Sequence, residues 1–434
     1  MDSDRNRTAN YTEGMLKEIE LNSCDHFQLL FDYKIKKENG TANTSQLLIE
    51  LSSEISSDEL SQYLLSNAHF RNLINTTVIK PLFGKARYRI EYLPENSGSG
   101  KELSITELKM VRIDPSIVYQ DDNIGLNPVK VTLIQLTSSS SILFQFNHTF
   151  IDNNGVKNLL RSFHGEQFNF LRAKETGQNS FIKRLKSTIL LSRKMMTRWY
   201  ESKAFIHSSS KGPISKDYLI HTLSDEETSL VKSKVKQSHH IASISSILMA
   251  ACCLSLKNLL VKRNEKPREF VFQQPFVVTP KKEPPYILGN RFSFVHYRLQ
   301  PEQVTSLSEI EYEINRQTFQ QIRDRVPQKF LELQSVLRLV NLRLHLLMIS
   351  LPARGKLTSF AYSFVDETKV IDRFANCEIT NIVNIPPVMR KPPVTFGFVY
   401  YDSRLRIEVC YDKNTLSKDE AELLLNSIKG ILLA

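Results

Sequence analysis

The chain has 434 residues, 41% of them hydrophobic and 24% charged, which suits a globular protein with a sizeable core and excludes disordered and collagen-like classes. Its net charge of +11 is scattered along the whole length, without the basic stripe and interleaved aromatics of a nucleic-acid binder, so no nucleic-acid partner is expected. Cys24, Cys252, Cys253, Cys377 and Cys410 form no CxxC pair and no metal-ligand spacing. The opening residues, MDSDRNRTAN, are polar, and no run of about 18 apolar residues occurs, so a reduced, cytoplasmic protein without a membrane span is expected.

Residues 27–36 (FQLLFDYKIK) and 46–51 (QLLIEL) read as two strands around a polar turn. Ser56 or Ser57 opens a helix with Leu60, Tyr63 and Leu64 on one side, and 85–93 alternates like a strand. The GSGK at 98–101 is a flexible loop, because Glu95 and Glu102 stand where a phosphate loop needs Gly and Ser or Thr. PVKVTLIQL, a Ser-rich turn and ILFQF form a hairpin that runs into NHTFIDNNG. Val156, Leu159, Leu160 and Phe163 then mark one buried helix face. The basic, amphipathic stretch 182–199 reads as a crossover between two lobes, in preference to a membrane-surface helix.

In the second half, a strand at 217–223 leads into a helix that Ser224 and Glu227 start as a capping box. A helix from about Ser243 to Lys262 holds Cys252 and Cys253 as core residues. Strands at 268–279 and 291–299, helices at 301–323 and 327–349, four strands from 358 to 411 and a helix at 416–433 complete the pattern. Strands and helices mix without strict alternation, which points to α/β (α+β) lobes with mixed sheets. The division drawn from this is an N-terminal lobe at 1–175, a linker at 176–215 and a C-terminal lobe at 216–434.

His148 and Asp152 form an H-x-x-x-D motif at the junction between that hairpin and the following helix. A near-neutral imidazole is well matched to taking a proton from an alcohol, amine or thiol. Asp152, about one turn on, is placed to accept backbone N–H groups at the helix start or to pair with an arginine. The spacing alone is weak, since His221 and Asp225 match it too, and there it joins an ordinary strand to a capping box. His239 and His240 have no further ligand at metal spacing, and no metal site is expected.

The stretch PVKVTLIQLTSSSSILFQFNHTFIDNNGVKNLLRSF resembles the H-x-x-x-D-G region of the coenzyme-A-dependent acyltransferase superfamily. That superfamily includes chloramphenicol acetyltransferase, alcohol acetyltransferases and peptide-synthetase condensation domains. Asn153 replaces the usual Gly, as the non-Gly residue that best tolerates a left-handed backbone. Asn147 stands where a condensation domain carries a second His, which leans towards the coenzyme A enzymes. ILGNRFSFVHYRL at 287–299 is similar to the family's second-lobe strand entry. There Asn290 is either a turn residue or a substrate-binding residue. Arg291 reads as exposed, with pairing to Asp152 the alternative. Ser363 takes the place of the Ser in the family's Ser-x-x-Gly, with Asp366 for the Gly, and the resemblance makes it an oxyanion donor.

The resemblance runs from about residue 27 to the end. It implies two chloramphenicol-acetyltransferase-like lobes, each a mixed sheet flanked by helices, with a tunnel between them. It also implies acyl transfer, acetyl in first place, from a coenzyme A thioester to a hydroxyl or amine, with His148 as general base and Asp152 as its support. Acyl-coenzyme A would be a co-substrate, with no permanently bound cofactor. The alternatives are a donor carried on an acyl carrier protein, or a non-catalytic binding member of the same fold.

Overall fold

Alternating apolar positions build two main sheets, and strands from the second half of the chain enter the sheet of the first. The computed structural model describes residues 16–39, 41–80, 85–92, 103–113, 124–172, 204–207, 214–237, 243–277, 284–353, 358–366 and 370–434. In the first half it gives β1 (Leu16–Glu20), α1 (Ser23–Asn39), β2 (Thr44–Leu51), α2 (Ser57–Ser66), α3 (Ala68–Ile74), β3 (Thr76–Ile79) and β4 (Arg87–Glu91). β5 (Ile105–Lys109), β6 (Val129–Gln135), β7 (Ser140–Asn147), α4 (Asn153–Ser162) and β8 (Asn169–Leu171) follow. The second half opens with β9 (Lys216–Thr222), α5 (Asp225–Gln237), α6 (Ile244–Lys262), β10 (Phe270–Phe276), β11 (Tyr286–Leu288) and β12 (Ser293–Leu299). Then come α7 (Leu307–Arg323), α8 (Val326–Leu337) and α9 (Leu342–Ala353). β13 (Ala361–Val365), β14 (Arg373–Phe374), β15 (Cys377–Ile385), β16 (Val394–Tyr401), β17 (Arg404–Asp412) and α10 (Lys418–Leu433) end the chain.

A six-stranded sheet runs in the order β14-β15-β2-β7-β6-β5, and a four-stranded sheet in the order β13-β16-β17-β9. Both are mixed, because β5 pairs with β6 and β13 with β16 in parallel while their other pairs are antiparallel. On the larger sheet Leu47, Ile49, Phe144 and Phe146 face α2 and α4 in one core. On the smaller, Phe396, Phe398, Ile407 and Val409 pack on α6 and α10 in another. Each buried side chain of this kind is worth about 1.5–3 kcal/mol, so each sheet has a core of its own. The opposite faces meet: Leu48, Leu143, Val383 and Ile385 of the larger sheet cluster with Cys410, Tyr218 and Ile220 of the smaller. Arg406 crosses the same gap, donating to the Ile382 carbonyl at 2.6 Å and to Asn381 Oδ1 at 2.8 Å.

The expected mixed α/β arrangement is observed, with two local corrections. Residues 27–36 are helical, not a strand. Asn22 caps that helix by accepting from the Cys24 and Asp25 backbone N–H groups, and Phe27, Phe31 and Lys34 recur at helical spacing. The helix expected at 327–349 divides at Arg338, and Asn341 Oδ1 restarts it by accepting from the Arg343 N–H at 2.9 Å. Helix α6 is long and apolar enough to cross a membrane by composition alone. Here most of its side chains, Cys252 and Cys253 included, are buried in the core of the smaller sheet. The stretch 182–199, the loop at 98–101 and the pair His239–His240 lie outside the described residues.

Helix α4 sits against β11 with little room. A Cβ at Gly155 would overlap the Ile287 carbonyl and approach Ile151 Cγ1 to 2.7 Å. Gly155→Ala is therefore expected to destabilise the protein by about 1–3 kcal/mol, measured as a lower urea midpoint with unchanged slope. An unaltered midpoint would mean that α4 can back away from β11.

Candidate active site

Strand β7 is buried along its whole length and ends at Asn147, which turns the chain. The Asn147 side-chain oxygen accepts from the Thr149 N–H at 2.9 Å, and its amide donates to the Gly125 carbonyl at 3.2 Å. Asn147 is thus occupied in shaping the loop. His148 follows, its N–H donating to the Asn43 carbonyl at 2.9 Å. The residue is half-buried, and its Nδ1 is enclosed without a hydrogen-bond partner. Burial depresses the imidazole pKa from 6.5 to about 4, opposed by the Ile151 backbone, so the ring is neutral near pH 7.

Asp152 is the N-cap of α4. Its Oδ1 accepts from the Gly155 N–H at 2.8 Å, and its Oδ2 from the Arg291 N–H at 3.2 Å. One carboxylate thereby starts the helix after His148 and ties it to the second half of the chain. Arg291 is half-buried instead of exposed, and the bond to Asp152 comes from its backbone. Asn153 begins α4 with right-handed backbone, so no left-handed residue is needed there. The glycine this turn requires is Gly155.

Asn290 is fully buried. Its amide donates to the His148 carbonyl at 2.9 Å and to Asp25 Oδ1 at 3.1 Å, while its backbone N–H reaches the same oxygen at 2.7 Å. Arg172 donates to the Asn290 carbonyl at 2.9 Å. Asn290 is a clamp on the His148 loop through its side-chain N–H groups, while its Oδ1 is enclosed without a hydrogen-bond partner. Burial lifts Asp25 to about 6, against the pull of Arg172 and the Asn290 hydrogen bonds. Asp152 is raised for the same reason, countered by its backbone donors and Arg172. Asp25, Asn43, Gly155 and Arg172 were not legible as site residues; Asp25 lies next to the stretch whose helix reads as a strand.

Ser363 lies on β13 of the smaller sheet, half-buried and in register with Gly397. Among the described residues it makes no hydrogen bond to the His148 loop. Asp366 is exposed beyond the strand end. His221 is in β9, with its Nε2 at 2.9 Å from Lys429 Nζ, and Ser224 and Glu227 cap the next helix as expected. A narrow cleft opens beside Asn153 between α4 and β13, lined by Phe146, Val156, Leu160, Val365 and Asn384.

No protein-family model matches the sequence. No curated protein matches it either. Solved structures do match over nearly the whole chain. The TRI3 trichothecene 15-O-acetyltransferase of Fusarium sporotrichioides shares 12% identity at a TM-score of 0.68, over 96% of this chain and 95% of its own. The first condensation domain of the CDA synthetase matches at 12% identity and 0.68, over 96% of each chain. Polyketide synthase associated protein 5 of Mycobacterium tuberculosis matches at 14% and 0.62, over 96% of this chain and 98% of its own. The chain has the acyltransferase and condensation-domain fold. At these identities the likeness establishes the fold alone, and it agrees with the two-lobed, chloramphenicol-acetyltransferase-like architecture that the sequence resemblance implies.

This fold buries four of its histidines neutral, and that has an acid cost. His26, His148 and His296 are held at about 4 and His345 at about 3, each by burial, against 6.5 for the free side chain. Depressed values mean that the unfolded chain binds more protons between about pH 4 and 6.5, so their contribution is full above 6.5 and lost as pH falls through that window. Asp25, raised to about 6, and Glu408, raised to about 8, act in the opposite direction, as does the raised Asp152, and they offset part of what the four imidazoles lose. The urea midpoint should therefore fall, on balance, from pH 6.5 to pH 4; a profile that rises over this range would contradict the buried, neutral state of these rings.

Proposed function

We propose that the chain transfers an acyl group from a coenzyme A thioester to a hydroxyl or amine, with His148 as general base. The observation that carries this reading is the His148 loop itself. A neutral imidazole stands at the end of a buried strand, and its loop is fixed from behind by Asp152 and Asn290. Nδ1 is enclosed, so Nε2 is the nitrogen left to take a proton. An acceptor O–H or N–H would give its proton to Nε2 as its heteroatom attacks the thioester carbon. The tetrahedral intermediate would collapse with cleavage of the C–S bond, and the proton would pass to the departing thiolate. Ser363 is the proposed donor to the oxyanion, and Asp152 positions His148 without touching substrate. The apolar cleft lined by Val156, Leu160 and Val365 suits the acyl chain.

Coenzyme A is favoured as donor by Asn147, which is used to turn the chain where a condensation domain has a second His. The second reading is a donor on an acyl carrier protein. It draws support from the condensation domain of the CDA synthetase, which matches as well as the acetyltransferase does.

His148→Ala should lower kcat by about 10²–10⁴-fold with acetyl-coenzyme A and a panel of alcohols and amines, while His221→Ala leaves turnover unchanged. Asp152→Asn keeps the shape but weakens acceptance of two backbone N–H groups, and should lower both activity and thermal stability. Turnover that survives His148→Ala would overturn the assignment, and activity only with a carrier-bound donor would establish the second reading.

A further inference from the structure

A second set of buried polar groups has no part in the His148 loop. On the face of the larger sheet that meets the smaller one, Gln46 of β2 and Gln145 of β7 stand opposite each other, 2% and 1% exposed. Gln46 Oε1 and Gln145 Nε2 are enclosed and make no hydrogen bond. From the smaller sheet Glu408 of β17 is 1% exposed, and its Oε1 also has no partner. Glu408 lies between Arg406 and Cys410, both of which reach the larger sheet, so all three side chains leave the same face of β17. Arg406 gives its guanidinium to Ile382 and Asn381 and makes no hydrogen bond to Glu408.

Gly397, opposite Glu408, makes room for the carboxyl: a Cβ there would come within 2.5 Å of Glu408 Oε2. The carboxyl thus lies over Gly397, towards β13, where Ser363 is next in register. Burial lifts Glu408 to about 8, so near pH 7 it is mostly a neutral acid with an O–H to donate. Desolvated groups without partners are destabilising, and their placement on the facing sides of the two sheets fits a ligand that completes them.

We propose that the space between the sheets receives the polar body of the acceptor, and that Glu408, with Gln46 and Gln145, selects an acceptor bearing a second hydroxyl or amino group. This rests on the acyl-transfer reading of His148. Gln145 lies on β7, the strand that delivers His148, so the second group is held on the strand that carries the base. A diol or amino alcohol would satisfy the carboxyl and the amides, whereas a simple alkanol would leave them bare. Sites built in this way discriminate strongly against analogues that lack the polar group.

The test uses the acetyl thioester of N-acetylcysteamine, whose thioester end is common to coenzyme A and carrier-bound donors, with hexanol, hexanediol and aminohexanol as acceptors. Wild type should favour the two bifunctional acceptors in kcat/KM by about tenfold or more. Glu408→Leu should abolish the preference through KM, Glu408→Gln should keep most of it for the diol, and Gln145→Leu should reduce it if Glu408→Leu does not fold. Binding of aminohexanol and hexanediol, followed by ligand-observed NMR, separates this subsite from the chemistry. Glu408-dependent binding without turnover would uphold the subsite and remove the acyl-transfer reading. Neither a preference nor binding that depends on Glu408, with Glu408→Leu simply more stable, would overturn the proposal.

Discussion

A buried carboxylate must find donors, and two of them in this protein take backbone N–H groups from a stretch more than a hundred residues away. Asp152 accepts from Arg291, and Asp25 accepts twice from Asn290, whose amide in turn holds the His148 carbonyl. Neither carboxylate can release its donor without being left in a medium that penalises the bare charge. The loop carrying His148 is therefore defined by groups in both halves of the chain. Its ring is available only because its backbone is not free to move.

The same logic extends across the molecule. β15 adds to the first-half sheet beside β2, and β11 pairs with β8, so the second half supplies both a strand and a floor to the first. Arg406 anchors β17 to β15 in the gap between the sheets. The polar groups left over there, Glu408 foremost, are buried in the same seam as the apolar cluster around Leu48 and Cys410. A seam with an apolar margin and a few unpartnered polar groups fits the proposed acceptor subsite.

Much of this was legible in the residues. The hairpin, the amphipathic α4 and the terminal β16–β17–α10 unit all announce themselves by periods of two or of three to four. His148 and Asp152 were visible as a motif, and the decoy at His221 shows that flanking structure, not spacing, distinguishes them. The misread segment at 27–36 shows the limit: its apolar residues are dense enough to fit either period, and the deciding signal was the Asn22 cap just before it. Asp25, Arg172 and the clamp by Asn290 stayed hidden because they act over sequence separations of 118 to 265 residues, which no local pattern encodes. In the sequence Asn153 looks like a substitute for a left-handed glycine, whereas the tight contact falls two residues later, at Gly155 against β11.

The central claim is that the fold holds His148 neutral and ready to accept a proton. It is tested most directly by NMR titration of imidazole-labelled protein, with His148→Gln used to assign the resonance. The account predicts that the His148 ring stays uncharged down to about pH 4, well below the 6.5 of a free histidine. A ring that titrates near 6.5 would mean that it is solvated and unconstrained, and would contradict the account.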